Sequence, residues 1–155
     1  MQVEYGLLQR TTERDLLPMA DAIGMGVMGY SPLAAGLLTG KYRRGGTGRE
    51  TDFKASVSHE DAGASATAID TLIAVADELG VSPGQVAIAW VIAKGVFPIV
   101  GPRTPAQHQE NLAAATLALG AEHLRRLDEV SAVPAGYPHE LLLSIAAPVT
   151  RKVPD

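Results

Sequence analysis

The 155-residue chain has no cysteine, few aromatic residues and no excess of positive charge. The lack of cysteine excludes a disulfide scaffold and any metal site with thiolate ligands. With 13 basic against 17 acidic residues, the net charge of −4 argues against a general nucleic-acid-binding protein. The histidines lack the spacing of metal ligands, and they are His59, His108, His123 and His139.

Long apolar runs are also missing. The late run Leu141–Val149 is far too short to span a bilayer. Gln2, Glu4 and Gly6 interrupt any apolar core of a secretion signal. We therefore expect a cytoplasmic protein with no membrane partner, and the cysteine-free composition fits that expectation.

The apolar share of 46% and the charged share of 19% are typical of a globular domain. Apolar strand patterns at about 2–5, 26–30 and 96–100 alternate with helical patterns at about 13–23, 64–79, 83–94, 105–115 and 121–132. This order predicts an α/β fold with parallel strands and right-handed crossovers. Thr12 is the predicted N-cap of the first helix, and Ser82 with Gln85 forms a capping box for the apolar helix 83–94, which must be buried on several sides.

The segment Ile99–Asn111 reads as the end of a strand, a turn at Gly101-Pro102 and a helix capped by Thr104. A helix N-terminus presents free N–H groups and attracts phosphate, and Arg103 beside the cap can add a fork of donors. Gln107, Glu110 and Asn111 follow on one helical face. A plain capped helix, with Gln107 closing a Thr-x-x-Gln box, explains this segment alone equally well.

A second segment, Gly24–Tyr42, is a strand followed by a loop of small residues that ends on Lys41. Small residues let the backbone approach a ligand closely. The segment is not a Walker A loop, because the spacing from Gly36 to Lys41 is wrong and Tyr42 stands where Ser or Thr is needed. Taken singly, Tyr30 fits a half-buried strand aromatic and Lys41 a solvated loop lysine.

Together these segments resemble the C-terminal half of the aldo-keto reductase family, over roughly residues 2–142. Four stretches carry the resemblance: Gln2-Val-Glu-Tyr5 with Leu7-Leu-Gln-Arg10; Gly29-Tyr-Ser-Pro-Leu33 with Gly36-Leu-Leu-Thr-Gly-Lys41; Gly101-x-Arg103-Thr-x-x-Gln107-x-x-Glu110-Asn111; and Gly136-Tyr-Pro-His139. The resemblance implies a partial (β/α)8 TIM barrel, comprising about the last three strand–helix units in residues 1–142, with 143–155 as a tail.

The resemblance also implies an NADP(H) site. Gln2 would contact the nicotinamide carboxamide, Tyr30 would stack on the nicotinamide ring, and Arg103 would take the adenosine 2′-phosphate, which favours NADP(H) over NAD(H). The pyrophosphate would be lined by Ser31, Pro32, Leu33, Ala34 and Gly36, with Lys41 as a charged clamp. Gln107, Glu110 and Asn111 would hold the adenosine end beside Gly101, and Arg43, Arg44 and Arg49 are further weak candidates for phosphate contact.

The family's chemistry is hydride transfer from NADPH to a small aldehyde or ketone, and its catalytic Asp, Tyr, Lys and His come from the half that this chain lacks. Tyr5, Tyr42 and Tyr137 have no placeable Lys partner, so no catalytic residue is predicted. The hypotheses are a truncated oxidoreductase chain inactive alone, a non-catalytic NADP(H)-binding or interaction protein, and a relic that does not fold stably. Open sheet edges would favour self-association or poor solubility.

Overall fold

The computed structural model describes residues 1–41 and 62–145. Within them, three short parallel strands form one sheet in chain order: β1 (Gln2–Glu4), β2 (Met28–Tyr30) and β3 (Phe97–Ile99). The Cα register pairs Val3 with Gly29 and Gly29 with Pro98. The parallel sheet confirms the predicted α/β architecture.

The described helices are α1 (Leu16–Ala22), α2 (Ala62–Leu79), α3 (Pro83–Ala93), α4 (Pro105–Ala113), α5 (Ala121–Val130) and α6 (His139–Ile145). Short 3-10 turns cover Thr11–Glu13, Ala34–Thr39 and Ala114–Thr116. The five predicted helices are confirmed with slightly shifted ends. Helix α6 was not predicted, and it crosses position 142, where the sequence places the start of a tail.

The start of α1 differs from the prediction. The helix begins after Asp15, whereas Thr12 lies in a 3-10 turn and its buried hydroxyl has no hydrogen-bond partner within the described structure. Arg10 gives the physical reason, because its guanidinium holds the Glu13 carboxylate at 2.9 and 2.8 Å. This pair spans the turn and fixes it, so the predicted Thr12 cap is wrong.

Helix α3 forms the centre of the core. Its capping box is confirmed, since Gln85 N–H donates to the Ser82 hydroxyl and Ser82 N–H donates to the Gln85 side chain. Burial on several sides is also confirmed, because the buried residues Pro83–Val91, apart from half-buried Gln85, run all round the helix. Trp90 is fully buried and stacks on Tyr5 with ring centroids 5.5 Å apart.

A polar network joins the end of β1 to α3 and α5. The buried Arg10 donates to the Asp128 carbonyl and to the Ser131 hydroxyl, both at 2.8 Å. The Asp128 carboxylate accepts from Trp90 Nε1 at 3.0 Å and from Lys94 Nζ at 2.6 Å. A buried guanidinium is stable only when paired in this way. The network therefore fixes the chain segment that follows β1.

No single helix in the described ranges is long and apolar enough to cross a membrane, although α2 and α3, bent by 99° relative to each other, pass that test of length and composition when taken together.

Candidate functional site

The loops that follow β2 and β3 leave the sheet at the same end. Both strands are parallel, so their carboxyl ends lie side by side. In folds of alternating strands and helices, ligand sites form at the carboxyl ends of the strands. The two predicted phosphate-binding segments, 31–41 and 101–111, thus begin at neighbouring positions.

One face of the sheet is open, and it carries Tyr30 and Gln2. Side chains alternate along each strand, so Gln2, Glu4, Met28, Tyr30, Phe97 and Ile99 share this face. Gln2 pairs with Met28 and Glu4 pairs with Tyr30, which makes Gln2 and Tyr30 diagonal neighbours. Strand geometry puts their Cα atoms roughly 8 Å apart. The Tyr30 side chain is 41% exposed, and an aromatic ring can stack on a flat partner.

The loop after β2 is held in an unusual backbone conformation. Ser31, Ala34 and Ala35 have φ angles of 55°, 46° and 54°, in the left-handed region that non-glycine residues seldom adopt. Gly36 follows at 95°. Each such residue costs on the order of 1–3 kcal/mol, and such residues cluster at functional sites. The strain marks this loop as a candidate site independently of its sequence motif.

Packing against the core and against α3 keeps the loop after β2 in place. Leu38 is fully buried, and a Cβ added at Gly84, in the first turn of α3, would lie 3.8 Å from the side chains of Leu33 and Thr39. Pro32 is buried against Gly6, where an added Cβ would lie 3.1 Å from the Pro32 carbonyl oxygen. Pro32 therefore packs into the protein. The other predicted pyrophosphate residues are exposed or half-buried, namely Ser31, Leu33, Ala34, Gly36 and Lys41.

The turn before α4 matches the prediction in one bond and differs in another. Thr104 is the N-cap, and its hydroxyl accepts from the Gln107 N–H at 3.2 Å. The Gln107 side chain, however, accepts from the Arg103 N–H at 2.7 Å rather than from that of Thr104. The predicted Thr-x-x-Gln box is therefore shifted by one residue. Gly101, Arg103, Gln107 and Glu110 are exposed, and Asn111 is half-buried.

The structure assigns Tyr5 to the core. Its hydroxyl donates to Glu13 Oε1 at 2.6 Å, and burial, together with the Glu13 carboxylate, raises the pKa of Tyr5 far above its ordinary value. Because Tyr5 is only 1% exposed and its hydroxyl proton is engaged with Glu13, its phenol is not accessible to a substrate. Tyr137 is highly exposed, and Tyr42, Arg43, Arg44 and Arg49 lie outside the described residues. In the described ranges, no group of acidic and histidine side chains could hold a metal ion.

Sequence reasoning missed the network around Arg10 and Trp90, because it joins residues more than 100 positions apart. The only available signal was Arg10 following an apolar strand, which by itself predicts nothing about Asp128 or Ser131.

Comparison with known proteins identifies the family of the chain. The family model "Aldo/keto reductase family" matches residues 1–132, and the chain belongs to this family. An uncharacterized oxidoreductase of Bacillus subtilis is 36% identical over 137 residues, covering 87% of this chain and 41% of the relative. Versiconal hemiacetal acetate reductase of Aspergillus parasiticus is 32% identical, covering 90% of this chain and 42% of the relative.

A solved structure gives the same picture. The glycerol dehydrogenase of Gluconobacter oxydans superposes with a TM-score of 0.72 at 25% identity, over 99% of this chain and 45% of that chain. The parallel strand–helix units are thus part of a (β/α)8 barrel, as the resemblance implied. The chain spans about two fifths of the length of the relatives it matches.

Proposed function

We propose that this chain binds NADP(H) at the carboxyl edge of its sheet and is the cofactor-binding part of a carbonyl reductase. One observation carries the proposal: the strained loop 31–36 and the Arg103–Thr104 turn follow adjacent parallel strands, beside the partly exposed ring of Tyr30. An aromatic face suits a nicotinamide, small residues suit a pyrophosphate, and a guanidinium at a helix N-terminus suits a phosphate monoester.

Each predicted residue has a role in this proposal. Tyr30 and Gln2 contact the nicotinamide, Arg103 binds the 2′-phosphate, and the adenosine end is held by Gln107, Glu110 and Asn111. The pyrophosphate is lined by Ser31, Leu33, Ala34 and Gly36 with Lys41, and Gly101 leaves space beside the adenosine. Buried Pro32 supports the loop through its backbone. NADPH supplies a hydride to an aldehyde or ketone when bound.

The proton for that reaction comes from outside the described residues in our proposal, because the Tyr5 phenol is buried in the core and its hydroxyl donates to Glu13. Residues 1–142 are then one portion of a barrel, and reduction needs the catalytic side chains of the remainder. The same buried phenol favours the second candidate, a non-catalytic NADP(H)-binding protein. A cytoplasmic location and self-association of the isolated chain belong to the same proposal, and they rest on the cysteine-free composition and the open sheet edges.

The test is a titration of the purified chain with NADPH and, in parallel, NADH, followed by quenching of Trp90 fluorescence and by calorimetry. We expect saturable binding that is tighter for NADPH. The absence of binding at millimolar NADPH by a folded sample contradicts the proposal. An assay of this chain with a panel of aldehydes should give no turnover, and turnover by the chain alone would contradict the proposal that reduction needs side chains of the remainder of the barrel.

A further inference from the structure

We propose that Thr39 is a positioning residue whose hydroxyl fixes the Gly36 peptide and, through it, the backbone of the loop that follows β2. Thr39 is not one of the residues assigned to the cofactor above. The consequence for pyrophosphate binding rests on the proposed function, in which Gly36 and Lys41 lie beside that group. The hydrogen bonds that carry the assignment are made within the chain and need no ligand.

The Thr39 hydroxyl joins two parts of the loop. It donates to the Gly36 carbonyl oxygen at 2.7 Å, and it accepts from the backbone N–H of Lys41 at 3.4 Å. A hydroxyl group can donate and accept at the same time. The half-buried side chain of Thr39 therefore links the backbone of Gly36, which lines the proposed pyrophosphate site, to the backbone of the proposed clamp Lys41.

The backbone at Gly36 needs such a restraint. The 3-10 segment Ala34–Thr39 is interrupted by non-helical backbone angles at Ala35 and Gly36. Gly36 has a φ of 95°, and a glycine adopts positive and negative φ with similar ease. A residue of this kind does not select one orientation of the peptide that follows it. The Thr39 hydroxyl selects one, because a hydrogen bond of 2.7 Å requires the Gly36 carbonyl oxygen to point toward it.

The orientation of this peptide matters for an anionic ligand. A carbonyl oxygen carries a partial negative charge, so it repels a phosphate that it faces. While its oxygen accepts from Thr39, the Gly36 peptide cannot turn that oxygen toward the ligand. Without the hydroxyl, the peptide is free to rotate. Thr39 thus excludes a loop conformation that opposes pyrophosphate binding.

The methyl group of Thr39 explains how the hydroxyl is directed. Thr39 Cγ2 would lie 3.8 Å from a Cβ added at Gly84, in the first turn of α3. A β-branched side chain has few χ1 rotamers, so a methyl group placed toward α3 also fixes the direction of the hydroxyl. On either side of Thr39, Leu38 and Gly40 are buried and hold the backbone. The packing against α3 therefore aims the hydroxyl at Gly36.

The experiment compares two substitutions of Thr39 in the full 155-residue chain. Thr39→Val keeps the shape of the side chain and removes the hydroxyl, whereas Thr39→Ser keeps the hydroxyl. Thr116→Val is the matched control, because Thr116 also ends a 3-10 turn and its hydroxyl donates to the carbonyl three residues earlier, that of Ala113, at 3.2 Å. Calorimetry should show that Thr39→Val weakens NADPH binding by roughly 5-fold, the effect of one hydrogen bond. Thr39→Ser and Thr116→Val should bind NADPH like the unmodified chain.

Titration with 2′-AMP separates positioning of the loop from a general loss of structure. This ligand carries the adenosine and the 2′-phosphate but no pyrophosphate, so Thr39→Val should leave its affinity unchanged. Equal losses of affinity for 2′-AMP and NADPH overturn the inference. A loss in Thr39→Ser as large as that in Thr39→Val also overturns it, since the hydroxyl would then not be the group that acts.

A measurement without ligand distinguishes this inference from the proposed function. Backbone amide hydrogen exchange of residues 34–38 should be roughly 5-fold faster in Thr39→Val and unchanged in Thr39→Ser and Thr116→Val. Unchanged exchange in Thr39→Val overturns the positioning role, whether or not the chain binds a cofactor. Faster exchange in a chain that does not bind NADPH contradicts the proposed function alone. NADPH binding that is equally tight before and after Thr39→Val contradicts this inference alone.

Discussion

The side-chain oxygen of Gln107 accepts a 2.7 Å hydrogen bond from the backbone N–H of Arg103. Between them Thr104 caps α4, so two hydrogen bonds fix the four residues that lead from Arg103 into the helix. The Arg103 side chain is exposed, and its guanidinium has no hydrogen-bond partner among the described residues. The arrangement makes Gln107 a positioning residue for Arg103.

Gln107→Leu should therefore weaken NADPH binding by roughly 5-fold, because a hydrogen bond of this kind contributes about 1 kcal/mol. Calorimetric titration measures the dissociation constant. Gln109→Leu, on the same exposed helix, should bind NADPH like the unmodified chain. Equal NADPH affinity of the two variants would contradict the positioning role of Gln107.

Arg103→Ala should weaken NADPH binding by roughly 10- to 100-fold, the usual contribution of a charge-assisted hydrogen bond. NADH lacks the 2′-phosphate, so its binding should be unchanged. Parallel titrations with the two cofactors give the ratio directly. A similar loss of affinity for both cofactors would show that Arg103 does not bind the 2′-phosphate.

The raised pKa of Tyr5 predicts that the folded protein loses stability at alkaline pH. Burial and the Glu13 carboxylate raise its pKa in the folded state, so its contribution to stability is complete below the unfolded-state pKa of about 10. The contribution is lost as the pH rises above that value toward the folded pKa, with a slope of up to about 1.4 kcal/mol per pH unit. Urea unfolding between pH 8 and 11 measures this slope.

Tyr5→Phe should remove that component of the slope, whereas Tyr137→Phe, at an exposed position, should keep it. Identical slopes for the two variants would mean that the phenol does not titrate differently in the folded and unfolded states.

Arg10→Ala should lower the free energy of unfolding by about 3–5 kcal/mol, because it leaves the Glu13 carboxylate and the groups near Asp128 without their buried partner. Arg14→Ala removes only one exposed hydrogen bond, from its Nε to the Pro134 carbonyl, and should cost about 1 kcal/mol or less. Chemical denaturation of the two variants gives the comparison. A small effect at Arg10 would show that the network stabilises little beyond its packing.

Local signals in the sequence predicted much of this fold. The Ser82–Gln85 box, the Thr104 cap and the alternation of strands with helices depend on residues a few positions apart, and the structure has all three. The order of four motifs also predicted the family, which the match over residues 1–132 confirms. The proposed contacts of Tyr30 and Arg103 with a cofactor stay predictions.

Long-range contacts and the detailed geometry of two turns decided the rest. Arg10 reaches across more than 100 residues to Asp128 and Ser131, and its pairing with Glu13 displaced the predicted cap from Thr12 to Asp15. The shift of the Gln107 bond from Thr104 to Arg103 likewise depends on how the turn folds. The sequence by itself determined the three strands, the first five helices and the family, because periodicity and capping act within a helical turn. Only the tertiary structure decided that Tyr5 is a core residue and that Phe97 lies on an open face, because burial depends on what the rest of the chain places beside each side chain.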